Sequence, residues 1–318
     1  MSARVYRALA PAKVNLGLFV GPIRPEDSRH ELVTVMQSIS LADELTLEIA
    51  PSGAVEDAVV CPALAGPAQE NLAAAALRAF RSRTGWDGPP VRLTIRKRIP
   101  VAAGLGGGSA DAAATLRLAG HLSGLGDEEL LREVGAELGA DVPAQVSPGR
   151  WLASGAGERL QGLPDPSRAL ALLVLAQVSG LSTAEVYRQA DRLGQGRRLK
   201  ELDGRRNRLR AAYELGSPLP GDSELLHNDL QDAAISLCPQ IAAALKGARE
   251  AGAEEAFVSG SGPTVVGLFS RANALGRAQR AASELAELDP SPIAASSVGG
   301  VFAAVAEVAE PGPDGADA

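Results

Sequence analysis

An α+β fold in two lobes is what the sequence predicts, and three observations carry it. Strand-like and helix-like segments are mixed along the chain without the strict β-α-β alternation of a parallel doubly wound sheet. The chain has 318 residues, enough to divide a sizeable core between two domains. Apolar residues make up 46% of it and charged residues 22%, an ordinary globular balance. The lobes are expected over residues 1–152 and 153–309. The acidic, proline- and glycine-rich stretch 310–318 is expected to be a disordered tail.

From the N-terminus, Val5 to Val20 alternates as a strand pair would. Ala12, Val14, Leu16 and Leu18 can point one way, Lys13, Asn15 and Gly17 the other. Glu31 to Ser38 and Asp43 to Ile49 are further strand candidates. Asn71 suits the N-cap of a helix, LAAAALRAFRSR, that stops before Gly85. Val91 to Ile99 alternates apolar and polar residues throughout, as a half-buried strand does. A glycine-rich turn leads into a helix of small residues from about Ser109 to Leu122, and another helix covers Asp127 to Leu138. Trp151 to Ser154 opens a new section, and Ala169 to Gln177 reads as a buried strand. Helical stretches follow around Ser182 to Leu193 and Glu224 to Glu250. Between them Gly194 to Asp222, rich in Arg, Gly and Pro, reads as a long connection or irregular insert. Phe257 to Ser261 and Val265 to Phe269 are strands around a second glycine turn; Ala272 to Leu288 is a helix and Gly300 to Glu307 a closing strand.

The net charge of −7 argues against nucleic-acid binding, because neutralising phosphates needs a basic face. The run Arg205, Arg206, Arg208 and Arg210 reads as a solvated helix face or loop before it reads as a grip on a small anion. Two cysteines, Cys61 and Cys238, stand far apart, which fits a reducing cytoplasm. The opening MSARVYRALAPAK lacks the apolar segment of a signal peptide. The most apolar run, Ala169 to Ala176, falls well short of the about 20 residues that span a bilayer. A cytoplasmic protein bound to neither membrane nor nucleic acid is expected; nothing in the sequence speaks to oligomeric state.

The strongest local signal is PVAAGLGGGSADAAA, Pro100 to Ala114, with four glycines in the five residues Gly104 to Gly108. Glycine lets a backbone turn sharply and approach a ligand with no Cβ in the way. The helix that follows offers unpaired N–H groups and the positive end of its dipole. Together they make a cradle for a di- or triphosphate. The candidate cradle is Pro100, Val101, Ala102, Ala103, Gly104, Leu105, Gly106, Gly107, Gly108, Ser109 and Ala110. The Ser109 hydroxyl is available to a phosphate or a magnesium ion. No Gly-Lys-Ser/Thr follows, so this is not a P-loop, and the Gly-x-Gly-x-x-Gly spacing of a dinucleotide fold does not fit either.

The loop has the form Pro-x-x-x-Gly-Leu-Gly-x-x-Ser and resembles the phosphate-binding signature of the galactokinase, homoserine kinase, mevalonate kinase and phosphomevalonate kinase (GHMP) superfamily. PAKVNLGL, Pro11 to Leu18, resembles the first superfamily motif and VSGSGPTVVGLF, Val258 to Phe269, the third. The resemblance implies an N-terminal domain like ribosomal protein S5 domain 2, a ferredoxin-like C-terminal α/β domain, and an ATP- and Mg2+-dependent kinase acting on an alcohol. Several segments are similar to the family that phosphorylates 4-diphosphocytidyl-2-C-methyl-D-erythritol in the non-mevalonate isoprenoid route. They are PAKVNLGLFV, the Gly-Leu-Gly-Gly-Gly-Ser loop, LGADVP (Leu138 to Pro143), DSRHELVTVMQ (Asp27 to Gln37), Glu70-Asn71-Leu72 and Asn228-Asp229.

That resemblance implies roles residue by residue. Asp141 is the candidate base for the attacking alcohol, and Lys13 its neighbour, stabilising charge on the attacking oxygen. The plain alternatives are an N-cap for Asp141 and a surface strand position for Lys13. His30 would hydrogen-bond the cytosine edge, Tyr187 would stack on the base, and Asn15 and Thr183 would hold phosphates or hydroxyls of the methylerythritol unit. One departure stands out: the family's Asp-Gly-Tyr-His reads Asp27-Ser28-Arg29-His30. Arg29 can stack its planar guanidinium on the base or pair with a phosphate. A homoserine- or mevalonate-type alcohol as substrate, or an ATP- and sugar-binding sensor without turnover, are the alternatives. The LGADVP and DSRHELVTVMQ segments speak against the first, and Lys13 with Asp141 against the second.

Overall fold

The computed structural model describes residues 4–63, 71–178 and 180–308; the expected tail at 310–318 lies outside them. The first sheet is built on two long antiparallel strands, β1 (Val5–Ile23) and β2 (His30–Ile49). Val5 to Val20 is therefore part of one strand, not a pair, and the two segments expected at 31–38 and 43–49 are halves of another. Register shifts at Pro11/Lys13, Asn15/Leu18 and Val20/Ile23 bend the ribbon and interrupt its alternation, so the pattern restarts at each bulge and imitates separate strands.

Strand β3 (Ala58–Val60) runs parallel to β4 (Val91–Arg96), which pairs with the second half of β2. Between them α1 (Leu72–Thr84) starts at Asn71, whose side chain accepts from Ala73 N, and ends at Gly85 in the left-handed conformation, φ 67°. Helices α2 (Gly107–Ser123) and α3 (Glu128–Leu138) pack with it, and the short α4 (Val142–Val146) packs against those two. The Asp127 side chain caps α3 by accepting from Leu130 N. Ala112, Ala113, Ala114, Leu116, Leu118 and Ala119 of α2 are fully buried, so small residues let this helix lie deep against β1.

Strand β5 (Arg150–Gly155) pairs with the first half of β2, and β6 (Arg159–Leu163) with β5. The first sheet thus runs to Leu163, and the division expected near residue 152 falls inside it. The short helix α4 ends at Val146, with Ser147 as its C-cap, without ending the sheet. The second sheet is antiparallel in the order β10 (Ile293–Ser296), β7 (Ala171–Leu175), β9 (Val265–Phe269), β8 (Glu255–Val258). Helices α5 (Thr183–Arg192), α7 (Gln231–Leu237), α8 (Gln240–Glu250) and α9 (Ala274–Glu284) belong to this half of the chain. One face of this sheet, with Leu173, Leu175, Val265 and Phe269, belongs to one buried cluster, while Leu172, Val174, Val266 and Leu268 of the other face join the cluster of the first half.

The helix expected over 224–250 is broken into a 3-10 turn, Ser223–Leu226, then α7 and α8. The last two part at Pro239, which has no N–H to continue the ladder. The expected strand at 300–307 starts as a 3-10 turn, Gly300–Ala303, and only β11 (Ala306–Val308) joins the free edge of β1. The supposed irregular insert 194–222 holds a 15-residue helix, α6 (Leu199–Tyr213). It buries only Leu202, Leu209 and Tyr213, a stripe too thin to show through its charged residues. Its arginines are exposed or half-buried, with Arg205 and Arg208 paired to Glu224 and Asp222.

Candidate active site

Lys13 is not on the surface. Its Cα follows the first bulge of β1, its side chain is 11% exposed, and its ammonium donates to Asn15 Oδ1 at 2.8 Å. Asn15 in turn donates to Thr34 Oγ1, and Thr34 to Gly17 O, so a polar chain along β1 and β2 fixes where the ammonium points. Asp141 occupies the N-cap position of α4, yet its side chain makes no capping bond. Its carboxylate lies 3.4 Å from Lys13 Nζ and is 38% exposed. The bulge and the unused cap are what bring a buried cation and an accessible carboxylate together.

Two glycine turns close on this pair. Lys13 N donates to Leu105 O, and Gln145 Nε2 donates to Gly106 O. A Cβ on Gly106, φ 70°, would lie 2.9 Å from Gln145 and 3.0 Å from Lys13; one on Gly104, φ 73°, would lie 2.6 Å from Gly262 O. Both turns therefore meet backbone to backbone beside the lysine. Gly104→Ala forces them apart and strains the left-handed residue by about 1–2 kcal/mol. A raised KM for ATP, with a lowered melting temperature, is the expected outcome, read by steady-state kinetics and a thermal melt.

Residues Pro100 to Ser109 line a cavity of about 390 Å³ together with Asn71, Leu72, Lys97 and Asp111. Ala110 turns into the core. A Cβ on Gly108 would meet nothing, so the helix start is open to a ligand. The wall opposite is anchored by charge. Lys97 Nζ bridges Asp43 at 2.6 Å and Asp111 at 2.7 Å, and Asp43 also accepts from Arg98 N and Ile99 N. Burial works against the Lys97 charge, but Asp111 and Asp43 outweigh it and raise its pKa. Burial pushes the Asp111 carboxyl up to about 7 against the pull of Lys97.

A second cavity of about 710 Å³ runs from Lys13, Asn15 and Asp141 to Arg29, His30, Thr183 and Tyr187. His30 donates through Nδ1 to Gly21 O at 2.9 Å, which leaves Nε2 beside Asp191 at 3.4 Å. The His30 and Tyr187 rings lie 5.1 Å apart at 33°. Burial pushes the Tyr187 phenol up to about 12; Asp141 adds to this and Arg29 opposes it. Thr183 Oγ1 is 3.0 Å from Ser261 Oγ, tying α5 to the second glycine turn. Every sequence-derived residue outside the nucleotide loop thus lines one cavity.

Models of the GHMP kinases N terminal domain and GHMP kinases C terminal match residues 71–149 and 211–288. A 4-diphosphocytidyl-2-C-methyl-D-erythritol kinase of Salinispora arenicola (strain CNS-205) is 41% identical over 295 residues, 89% of each chain. The chain belongs to the 4-diphosphocytidyl-2-C-methyl-D-erythritol kinase family of GHMP kinases. A relative of the same name in Anaeromyxobacter dehalogenans (strain 2CP-1 / ATCC BAA-258) is 41% identical over 264 residues, 82% of this chain and 80% of that one. A crystal structure of 4-(cytidine 5'-diphospho)-2C-methyl-D-erythritol kinase superposes with TM-score 0.71 and 33% identity, covering 92% of this chain and 99% of that one. Homoserine kinase from Cytophaga hutchinsonii shares the fold, TM-score 0.71 at 18% identity, over 97% of this chain and 98% of its own.

Membership of this kinase family makes ATP the phosphoryl donor, and it directs attention to cavity residues that motif reading passed over. Arg188 and Asp191 of α5 line the larger cavity with Thr183 and Tyr187. Thr183, Tyr187 and Asp191 are spaced i, i+4, i+8 and share a helix face, so extending the two recognised positions by one turn finds Asp191. Lys97 carried a signal too: just past the end of β4, it continues the parity of the buried Val91, Leu93 and Ile95.

Proposed function

We propose that the protein transfers the γ-phosphoryl group of ATP directly to the 2-hydroxyl of 4-diphosphocytidyl-2-C-methyl-D-erythritol. The observation that carries this is the Lys13–Asp141 pair at 3.4 Å. It stands where the glycine loop and the cavity of His30 and Tyr187 meet. In this reading Asp141 takes the hydroxyl proton and Lys13 balances charge on the attacking oxygen. The bound nucleotide lies against the open start of α2. His30 and Tyr187 hold the base, and Asn15 and Thr183 hold the methylerythritol end.

Among the described residues no cluster of three or more His, Cys, Asp or Glu is arranged for a metal. Magnesium takes most of its oxygens from nucleotide phosphates and water. Ser109 is the hydroxyl we assign to it, and the ion when bound neutralises phosphate charge. Cysteine usage supports a reducing, cytoplasmic setting. Among the described residues no helix is long and apolar enough to cross a membrane.

Product analysis tests the substrate. Phosphorus NMR of a reaction with ATP and 4-diphosphocytidyl-2-C-methyl-D-erythritol is expected to show one new phosphomonoester and an intact diphosphate. A monoester formed instead from homoserine or mevalonate would move the protein to another alcohol. ATP binding with no monoester from any of the three would make it a sensor.

A further inference from the structure

The larger cavity holds two cations that no carboxylate matches. Lys13 pairs with Asp141, and His30 Nε2 lies 3.4 Å from Asp191 Oδ2. Arg29 and Arg188 also line it, and among the described residues neither meets a carboxylate in an ion pair. Other arginines do: Arg24 meets Asp27 and Glu158, Arg81 meets Asp57, and Arg197 meets Asp229.

Arg29 is also held in place. Its Nη2 donates to Ala156 O at 2.7 Å and its backbone N to Asp27 Oδ1 at 3.1 Å. Asp27 is gripped by Arg24, Arg24 donates to Glu158 Oε1, and Glu158 Oε2 accepts from Ala156 N. The loop of bonds thus closes on the same peptide that holds the Arg29 side chain. Hydrogen bonds from Arg24 hold the Asp27 carboxyl below its ordinary range; burial opposes ionisation of Glu158, but Arg24 and the Ala156 N–H outweigh it. Ser28 sits in the left-handed region, φ 57°, which tightens the turn. A guanidinium fixed by one edge keeps its other N–H groups for an acceptor. Arg29 does not lie over the Tyr187 ring, although its charge reaches the phenol. Arg188 follows Tyr187 on α5 and, among the described residues, bonds only its own helix, Nε to Ala184 O at 3.3 Å.

We infer that Arg29 and Arg188 form a clamp for the diphosphate of the substrate. The clamp spans the cavity between the turn after β1 and helix α5, and Arg29 offers a fork while Arg188 closes from the helix. A diphosphate is the anion that fits: it has paired oxygens for a planar guanidinium and enough charge for two cations. Arg29 therefore reads phosphate and not the face of the base. This rests on the substrate reading above and deepens it.

The test compares native protein with Arg29→Gln, Arg188→Gln and the double variant, by calorimetry with CDP and with cytidine. The nucleotide loop is first filled with a non-hydrolysable ATP analogue. Each single change is expected to weaken CDP by about 10–100-fold, the range for losing a charged hydrogen bond, and to leave cytidine unchanged. Equal losses for CDP and cytidine would make Arg29 a stacking residue and overturn the clamp. Unchanged CDP binding in the double variant would also overturn it and leave the substrate reading standing. Inorganic pyrophosphate separates the remaining case. If native protein binds pyrophosphate through these arginines but ignores cytidine and CDP alike, the clamp stands and the cytidine-linked substrate falls.

Discussion

Asp141→Asn keeps substrate binding and lowers kcat by about 10²–10⁴-fold, the usual worth of a positioned general base. The substitution is nearly isosteric, and Asp141 makes no capping bond to α4, so the short helix loses no hydrogen bond from that side chain. What changes is the partner of Lys13 at 3.4 Å and the ability to take a proton. KM for the alcohol is expected to stay within a few-fold, because interactions lost only in the transition state lower kcat and kcat/KM together. Lys13→Met is expected to act in the same direction. A fall in kcat of less than about tenfold for Asp141→Asn would mean that positioning alone drives the transfer.

Lys97→Met destabilises the protein by about 3–5 kcal/mol, the range for stripping one partner from a buried charge set. The ammonium side chain is 8% exposed, and those of Asp43 and Asp111 are 0% and 2%. Without it, two carboxylates are left in the interior with only the Arg98 and Ile99 N–H groups to serve Asp43. Asp111 Oδ1 already has no partner. Urea denaturation followed by circular dichroism measures the change. Adding Asp111→Asn is expected to recover part of it, since one buried charge then disappears; coupled neighbours are not additive. A loss below about 1 kcal/mol would show that the site hydrates freely. Because this charge set ties β2 to α2 through the residue that follows β4, beside the glycine loop, weaker ATP binding is expected alongside.

The Lys13–Asp141 pair and the glycine loop were legible in short motifs, because each depends on particular residues at particular chain positions. Pro100–Ser109, Lys13 and Asp141 could be named without coordinates for that reason. Helix limits were legible where a cap marks them, as at Asn71 and Asp127. Three things were not. The bulges of β1 and β2 shift parity within one strand, and a period-2 pattern cannot tell a bulge from a strand end. The return of β5 and β6 to the first sheet is a long-range pairing that local sequence does not mark. Helix α6 buries too few residues to announce itself. The larger cavity was legible only in part: Tyr187 and Thr183, named from sequence, line it, while Arg188 and Asp191 needed the helix face to be seen whole.

The most direct measurement is ADP release by the purified protein with ATP and magnesium, with and without 4-diphosphocytidyl-2-C-methyl-D-erythritol. The account predicts ADP only when that alcohol is present, at a rate that collapses in Asp141→Asn. Release that ignores the alcohol, or that Asp141→Asn leaves untouched, would contradict it.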